Sequence, residues 1–349
     1  MAVTENQSFD DSQHGQAAGF IASPARAGLE HAEPAPPVHI GSRAGHRYEY
    51  LIAMTRGLAP LRTAVVHPVD EPSLTGAIEA ARANLIVPVL IGPQAKIRAA
   101  ADKAGMDITA FETVPVEHSD AAAERAVAMA RAGQVEALMK GALHTDELMR
   151  AVVDAEHGLR TGRRISHVFA IDAPAYPRPL FVTDAAINVT PTLTDKRDIV
   201  QNAIELAHAL GNPDPRVAIL SAVETVTEKL RSTIDAAALC KMADRGQITG
   251  GILDGPLAFD NAVSPEAARM KAIISPVAGR ADILVVPDLE AGNMLAKQLE
   301  YLGGAQIAGI VLGARVPIIL TSRADKTLAR LGSCAIALLL ARHAAGARA

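Results

Sequence analysis

The run VPIILTSRADKTLARLGS, Val316 to Ser333, carries an apolar stretch straight into Thr321, Ser322, Arg323 and Asp325 before a helical pattern resumes. An arginine fork beside a hydroxyl at a helix start suits the oxygens of a phosphate or an acyl phosphate. The guanidinium presents paired donors, and the first turn of a helix leaves its N–H groups unused. An aspartate in that turn also fits the helix dipole with no further role.

Other seams repeat the theme. MKGALHTDELMR places Lys140 and Gly141 at a strand end, then His144 and Thr145 at a helix start, with Arg150 one turn further on. Lysine, arginine, a hydroxyl and free N–H groups form a candidate phosphate site, against the alternative of an ordinary helix cap with solvated charges. RTGRRISHVFAID sets Arg160, Arg163 and Arg164 before a strand that opens with Ser166 and His167. Three arginines there suit a nucleotide phosphate, whereas His167 alone reads first as a core or interface histidine. FVTDAAINVTPTLTDK brings Asp184 and Asn188 to a strand exit, where Asp184 either caps the turn or faces a cleft. LSAVETV offers Ser221 and Glu224, LDGPLAFDNAVS offers Asp254, Gly255, Asp260 and Asn261, and VPDLEAGNMLAKQL offers Asp288, Glu290, Gly292 and Asn293.

These residues need a scaffold of strands feeding helices. Ten short runs read as strands: TAVVHP, LIVPVLI, VEALMK, ISHVFAI, PLFVTD, RVAILSA, ITGGILDG, ADILVVP, IAGIVLG and VPIILTS. Several are apolar throughout, as parallel strands buried on both faces should be, and Ala-rich helical stretches follow them. The fold class expected is α/β. Ten strands exceed a comfortable single sheet, so two α/β domains with mainly parallel sheets and a cleft between them are expected. In such sheets ligands bind beyond the carboxyl ends of the strands. Residues 1–45, rich in Ala, Pro, Gly, His and Glu without sustained period, read as a flexible N-terminal tail.

Of 349 residues, 49% are apolar and 21% charged, and the net charge is -4. That balance suits a soluble protein and lacks the basic field of a nucleic-acid or membrane-surface binder. Aromatics are 3% and tryptophan is absent, against base-stacking surfaces. Two cysteines, Cys240 and Cys334, build no disulfide framework, and the first residues lack a basic, then apolar, export pattern. A cytoplasmic protein without a membrane span is expected. No G-x-G-x-x-G, G-x-x-x-x-G-K-[ST], G-x-S-x-G or paired Cys/His metal spacing is present.

The blocks LMKGALHTDEL, RRISHVF, TDAAINVTPTL, LDGPLAFDNAVS, PDLEAGNMLAKQLEYLGGA and GIVLGARVPIILTSRAD, in this order, resemble the phosphate acetyltransferase and phosphate butyryltransferase family from about His46 to Ala341. The wording is closest to butyryl-type members and to the transferase part of hydratase-fused members. The resemblance implies reversible transfer of a short acyl group, acetyl or butyryl, from acyl-CoA to inorganic phosphate. CoA and phosphate are then substrates, no cofactor or metal is needed, and the protein is a homodimer with neither nucleic-acid nor membrane partners. It also implies a fold similar to the isocitrate/isopropylmalate dehydrogenase-like one, with domain I at 46–153 plus 308–349 and domain II inserted at 154–307.

For the site, the resemblance implies that Ser322 and Arg323 lie at the CoA and phosphate site and that Gly141, His144, Thr145 and Arg150 line the same cleft; the seams themselves offer Asp325 or His144 as the base and complete the set of candidates. Lys140, Gly141, Thr145, Arg150, Arg164, Ser166, Asn188, Asp254, Gly292, Asn293 and Thr321 would bind CoA or phosphate. Two positions depart from acetyl-type members: Ala329 stands where those carry a carboxylate seven residues after the serine, and Glu300 falls near a second arginine of theirs. Two other readings stay open. One is a metal- and NAD-dependent decarboxylating dehydrogenase of similar fold, the other a non-catalytic acyl-CoA-binding regulatory protein.

Overall fold

The computed structural model describes residues 46–320 and 326–346, all within one unit, Gly41–Ala349. The expected tail, residues 1–45, lies outside the described residues. In chain order the elements are α1 (His46–Met54), β1 (Leu61–Val66), α2 (Glu71–Arg82), β2 (Ile86–Gly92), α3 (Gln94–Lys103), β3 (Glu112–Pro115), α4 (Ser119–Arg131), β4 (Ala137–Lys140), α5 (Thr145–Val152), β5 (Ser166–Asp172) and β6 (Leu180–Thr183). There follow α6 (Leu193–Ala209), β7 (Arg216–Leu220), α7 (Arg231–Asp244), β8 (Ile252–Leu257), α8 (Phe259–Val263), α9 (Pro265–Met270), β9 (Ile283–Val285), α10 (Leu289–Tyr301), β10 (Gln306–Leu312), β11 (Ile318–Ile319) and α11 (Thr327–Gly346).

All ten expected strands form. The eleventh, β3, was hidden because ETVP is short, polar and exposed at a sheet edge. Among the described residues the strands make one continuous sheet, ordered β3-β2-β1-β4-β11-β10-β5-β6-β9-β7-β8. Strand count therefore gave no ground for two sheets. Within this sheet only β11–β10, β10–β5 and β5–β6 pair antiparallel. Those reversals have a consequence for the seams. The carboxyl ends of β1, β2, β4 and β11 leave one end of the sheet, and those of β6 to β10 leave the other.

Local sequence explains the elements. α4 buries Ala122, Ala123, Ala126, Val127, Met129 and Ala130, the spacing of one helical face. α6 opens with a reciprocal cap: Asp195 N–H donates to the Thr192 hydroxyl at 3.2 Å, and Thr192 N–H donates to the Asp195 carboxylate at 3.0 Å. α11 is long and apolar enough to cross a membrane by length and composition, but it packs on α1, α2 and β10 and half of it is buried, as suits a core helix. Gly332 makes that packing possible, because a methyl there would lie 2.9 Å from the Tyr48 ring.

Among the described residues three apolar clusters fill the layers. One lies under α1, α2, α3, α6, α7 and α11. On the opposite face, a second gathers α4, α5 and the β1–β4 side of the sheet, and a third gathers α8, α9, α10 and the β6–β9 side.

Candidate active site

At the end of the sheet where β4 and β1 finish, the turn into α5 is tied to β1 through backbone. Gly141 N–H donates to the Val66 carbonyl and Ala142 N–H to the His67 carbonyl, each at 2.9 Å. A methyl on Gly141 would collide with the Val66 carbonyl oxygen and lie 2.8 Å from that of His67, so only glycine fits. His67 itself has φ 57°, uncommon for a side-chain-bearing residue, and its Nδ1 lies 3.2 Å from the Ala142 carbonyl. Lys140, half-buried, thus sits beside His67 at a seam built by two strands.

His144 caps α5, and its N–H donates to the Glu147 carboxylate at 2.7 Å; Thr145 opens the helix. Glu147 also accepts from the Ser119 hydroxyl at 3.1 Å, joining α5 to α4. Arg150 takes another direction. Its guanidinium, 68% exposed, lies 3.5 Å from Asp120 and 3.9 Å from Asp146. It lines an α4–α5 surface groove of about 1060 Å³ with Glu124, Arg131 and His157. Thr321, Ser322, Arg323 and Asp325 lie outside the described residues; Leu320 is the last residue described before them.

At the opposite end of the sheet the structure gathers Arg164, Ser166 and Asn188. Arg164 Nε donates to Asn188 Oδ1 at 2.6 Å, and Asn188 Nδ2 donates to the Ile165 carbonyl at 2.9 Å and to the Asp184 carboxylate at 2.5 Å. Asn202 of α6 donates to the Ser166 hydroxyl at 2.8 Å and to the Arg164 carbonyl at 2.9 Å. Arg163 is held by Glu205 at 2.6 Å. The Arg164 side chain stays half-exposed and, with Arg160, Arg163, Asn188, Asp195 and Asp198, lines a cavity of about 400 Å³.

Asp184 organises this loop. Its buried carboxylate accepts N–H groups of Ala186 and Ile187 at 3.0 Å and of Asn188 at 3.2 Å. Burial pushes its carboxyl above the ordinary value, and those donors pull the other way. The peptide Thr183–Asp184 is cis. Gly292 lets α10 approach the loop, since a methyl there would lie 2.7 Å from Val286 Cγ2 and 2.9 Å from Ala185 Cβ. Asn293 Nδ2 donates to the Ala185 carbonyl at 3.3 Å. Asp254 lies inside the edge strand β8 rather than at its exit, and its carboxylate accepts the adjacent Gly255 N–H at 2.8 Å.

The candidates therefore fall into two groups at opposite ends of the sheet, with α5 and α10 on the same face between them. Asn202, a buried amide on α6, carries no signal in the sequence. Neither does His67, whose unusual backbone no sequence pattern announces. His167 is buried, as its place in an apolar strand suggests, and burial pulls its imidazole down to about 3. Cys240 and Cys334 are unbridged, and burial pushes both thiols up to about 12. Ala329 packs in the core and Glu300 pairs with Lys297 at 2.8 Å. Among the described residues, no three His, Cys, Asp or Glu side chains group as ligands for a metal ion.

Residues 119–338 match the family described as "Phosphate acetyl/butaryl transferase". A phosphate acetyltransferase of Rhizobium meliloti is 64% identical over 295 residues, covering 84% of this chain and 93% of that protein. A phosphate butyryltransferase of Clostridium beijerinckii is 40% identical over 294 residues, covering 84% and 97%. Among solved structures, a branched-chain phosphotransacylase from Enterococcus faecalis superposes with a TM-score of 0.71 at 30% identity, over 80% of this chain and 99% of that one.

Proposed function

The chain belongs to the phosphate acetyl/butyryl transferase family, and from that premise we propose how its residues carry the reaction. It is an acyltransferase that moves an acyl group reversibly between CoA and inorganic phosphate. A phosphate oxygen attacks the thioester carbonyl carbon; the new C–O bond forms as the C–S bond breaks, and CoA leaves as a thiolate that takes up a proton. In reverse, the thiol loses a proton, attacks the acyl phosphate carbonyl, and phosphate leaves.

Arg323 holds phosphate through its planar fork, and Ser322 donates to the carbonyl oxygen as negative charge develops there, worth about 3 kcal/mol for one such donor. Lys140, Gly141 and Thr145 add positive field and N–H donors from the neighbouring seam. A free thiol titrates near ~8.5, so this field and a base, Asp325 or His144, raise the reactive thiolate fraction at neutral pH. Arg164, held by Asn188, serves a phosphate of CoA from the far end of the sheet. Acyl transfer is direct in this reading: Cys334 is buried and Cys240 half-buried, and burial pushes both thiols up to about 12, which disfavours a thiolate nucleophile at either.

Further parts of the reading are an inter-domain cleft between 46–153 plus 308–349 and 154–307, a dehydrogenase-like arrangement of those domains, a homodimer, a cytoplasmic location and metal-free turnover. The antiparallel β11–β10–β5–β6 stretch, where the sheet changes direction, supports a division at its centre. The net charge of -4 and the unbridged cysteines support the location.

The observation that carries the function is the 64% identity to a phosphate acetyltransferase across nearly all of that protein. The test is CoA release from acetyl-, propionyl- and butyryl-CoA, each with and without phosphate, in chelator. Phosphate-dependent release giving an equal amount of acyl phosphate supports the reading. CoA binding without turnover would favour the non-catalytic regulatory role, and a requirement for metal and nicotinamide the dehydrogenase one.

A further inference from the structure

On the face of the sheet that carries α5 and α10, same-face residues of β10 run Ile307, Gly309, Val311. Ile307 belongs to the cluster under α10 and Val311 to the cluster under α5. Gly309 stands between them, and the space above it is filled from β5. A methyl on Gly309 would lie 2.8 Å from His167 Nε2 and 2.9 Å from the Leu320 carbonyl oxygen. The His167 imidazole therefore lies over β10 with its Nε2 edge on the side of the carboxyl end of β11. Phe169, two residues along β5 and only half-buried, braces the ring edge-on, at 4.3 Å between centroids and 75° between planes.

His167 is 2% exposed, and its Nδ1 is buried with no hydrogen-bond partner among the described residues. A buried orphan is tolerated better as a bare acceptor than as an N–H, so the ring proton belongs on Nε2. Desolvation keeps the ring uncharged across the neutral range. An uncharged N–H with fixed aim is poorly suited to strip a proton from a thiol or to hold a phosphate dianion. It suits a neutral carbonyl oxygen, which needs one donor.

We propose that His167 is a further substrate-binding residue, whose Nε2–H donates to the carbonyl oxygen of the acyl group at the junction of β5, β10 and β11. This deepens the acyl-transfer reading and rests on it. Gly309 is then a specificity element, since a side chain there would push the ring off its position. The donor sees the acyl carbonyl and not the CoA body, so its loss acts on acyl-CoA and leaves CoA alone.

The experiment compares wild-type protein with His167→Leu and His167→Gln, the latter restoring an amide donor of similar reach. Melting temperature, kcat/KM for acetyl-CoA at saturating phosphate, and calorimetric Kd for acetyl-CoA and for CoA are measured on each. The expected result is a folded Leu variant with kcat/KM for acetyl-CoA down by about 10²-fold, the scale for one lost carbonyl donor. Its CoA affinity is unchanged, and the Gln variant recovers part of the rate. A folded Leu variant with wild-type kcat/KM, or equal losses toward CoA and acetyl-CoA, overturns the proposal. Should the Leu variant fail to fold, ¹⁵N spectra of histidine-labelled wild-type protein decide. A protonated His167 Nε2 that shifts with acetyl-CoA but not with CoA supports the assignment; a protonated Nδ1 or no difference between the two ligands overturns it. Wild-type protein lacking phosphate-dependent CoA release in the same assay would instead defeat the acyl-transfer reading itself.

Discussion

Gly141 N–H donates to the carbonyl oxygen of Val66 at 2.9 Å, and there is no room on Gly141 for a single methyl group against that same oxygen. The obstructing atoms are backbone of β1, which cannot swing aside as a side chain could. Gly141→Ala is expected to cost about 1–3 kcal/mol, the usual range for overpacking, and to displace Lys140 from the seam. Denaturant titration and turnover on the same preparation check this. An alanine variant as stable and active as wild type would show that the β4–α5 turn is looser than its geometry.

The Lys196–Asp235 pair gives a prediction about pH. Both side chains are nearly inaccessible, their charged atoms are 2.9 Å apart, and Arg231 adds a second contact to Asp235 at 2.7 Å. Burial pushes the Asp235 carboxyl up, but the hydrogen bonds from Arg231 and Lys196 outweigh it and hold it below its ordinary value. A carboxylate depressed in the folded state contributes stability that is present above its unfolded pKa, near ~3.9, and is lost as pH falls through the lower folded value. Asp235→Asn leaves Lys196 buried without its counter-charge and should cost about 3–5 kcal/mol at neutral pH. Its stability should fall less steeply than that of wild type below about pH 4. Melting temperatures from pH 2 to 8 check both parts, and parallel acid limbs would remove Asp235 as a contributor.

Much of this molecule was legible from sequence because parallel strands buried on both faces read as unbroken apolar runs, as VAIL in β7 and ILV in β9 do. β3 was not, since an exposed four-residue edge strand has no apolar signature. The spatial sense of the seams was not legible either. Pairing direction is a long-range property, and only the antiparallel β11–β10–β5–β6 joins send Lys140 and Asn188 to opposite ends of the sheet. The Arg164–Asn188–Asp184 association was half visible, as polar residues at strand ends. Asn202 was hidden because one buried amide barely disturbs the apolar pattern of α6.

Arg164 and Asn188 should separate binding from folding. Arg164 is half-exposed, so Arg164→Ala should change the melting temperature little while raising KM for acyl-CoA by roughly 10-fold, as expected for about 1.4 kcal/mol of lost contact. Asn188→Ala removes a buried amide that joins Arg164, Ile165 and Asp184. It should therefore raise KM similarly and also lower stability by about 1–3 kcal/mol through unsatisfied partners. Steady-state kinetics with melting curves check the split. An Arg164→Ala variant with unchanged KM would take this end of the sheet out of CoA binding.

The central claim is that the seam after β11 carries acyl transfer to phosphate, with Arg323 as its phosphate grip. Its most direct test is a ³¹P NMR time course of acetyl phosphate formation from acetyl-CoA and phosphate by wild-type, Arg323→Ala and Arg323→Lys proteins of equal melting temperature. The account predicts prompt acetyl phosphate from wild type, at least ~10² slower formation by the alanine variant, and little recovery by lysine, which keeps the charge but loses the planar fork. A folded alanine variant that makes acetyl phosphate at near the wild-type rate would contradict it.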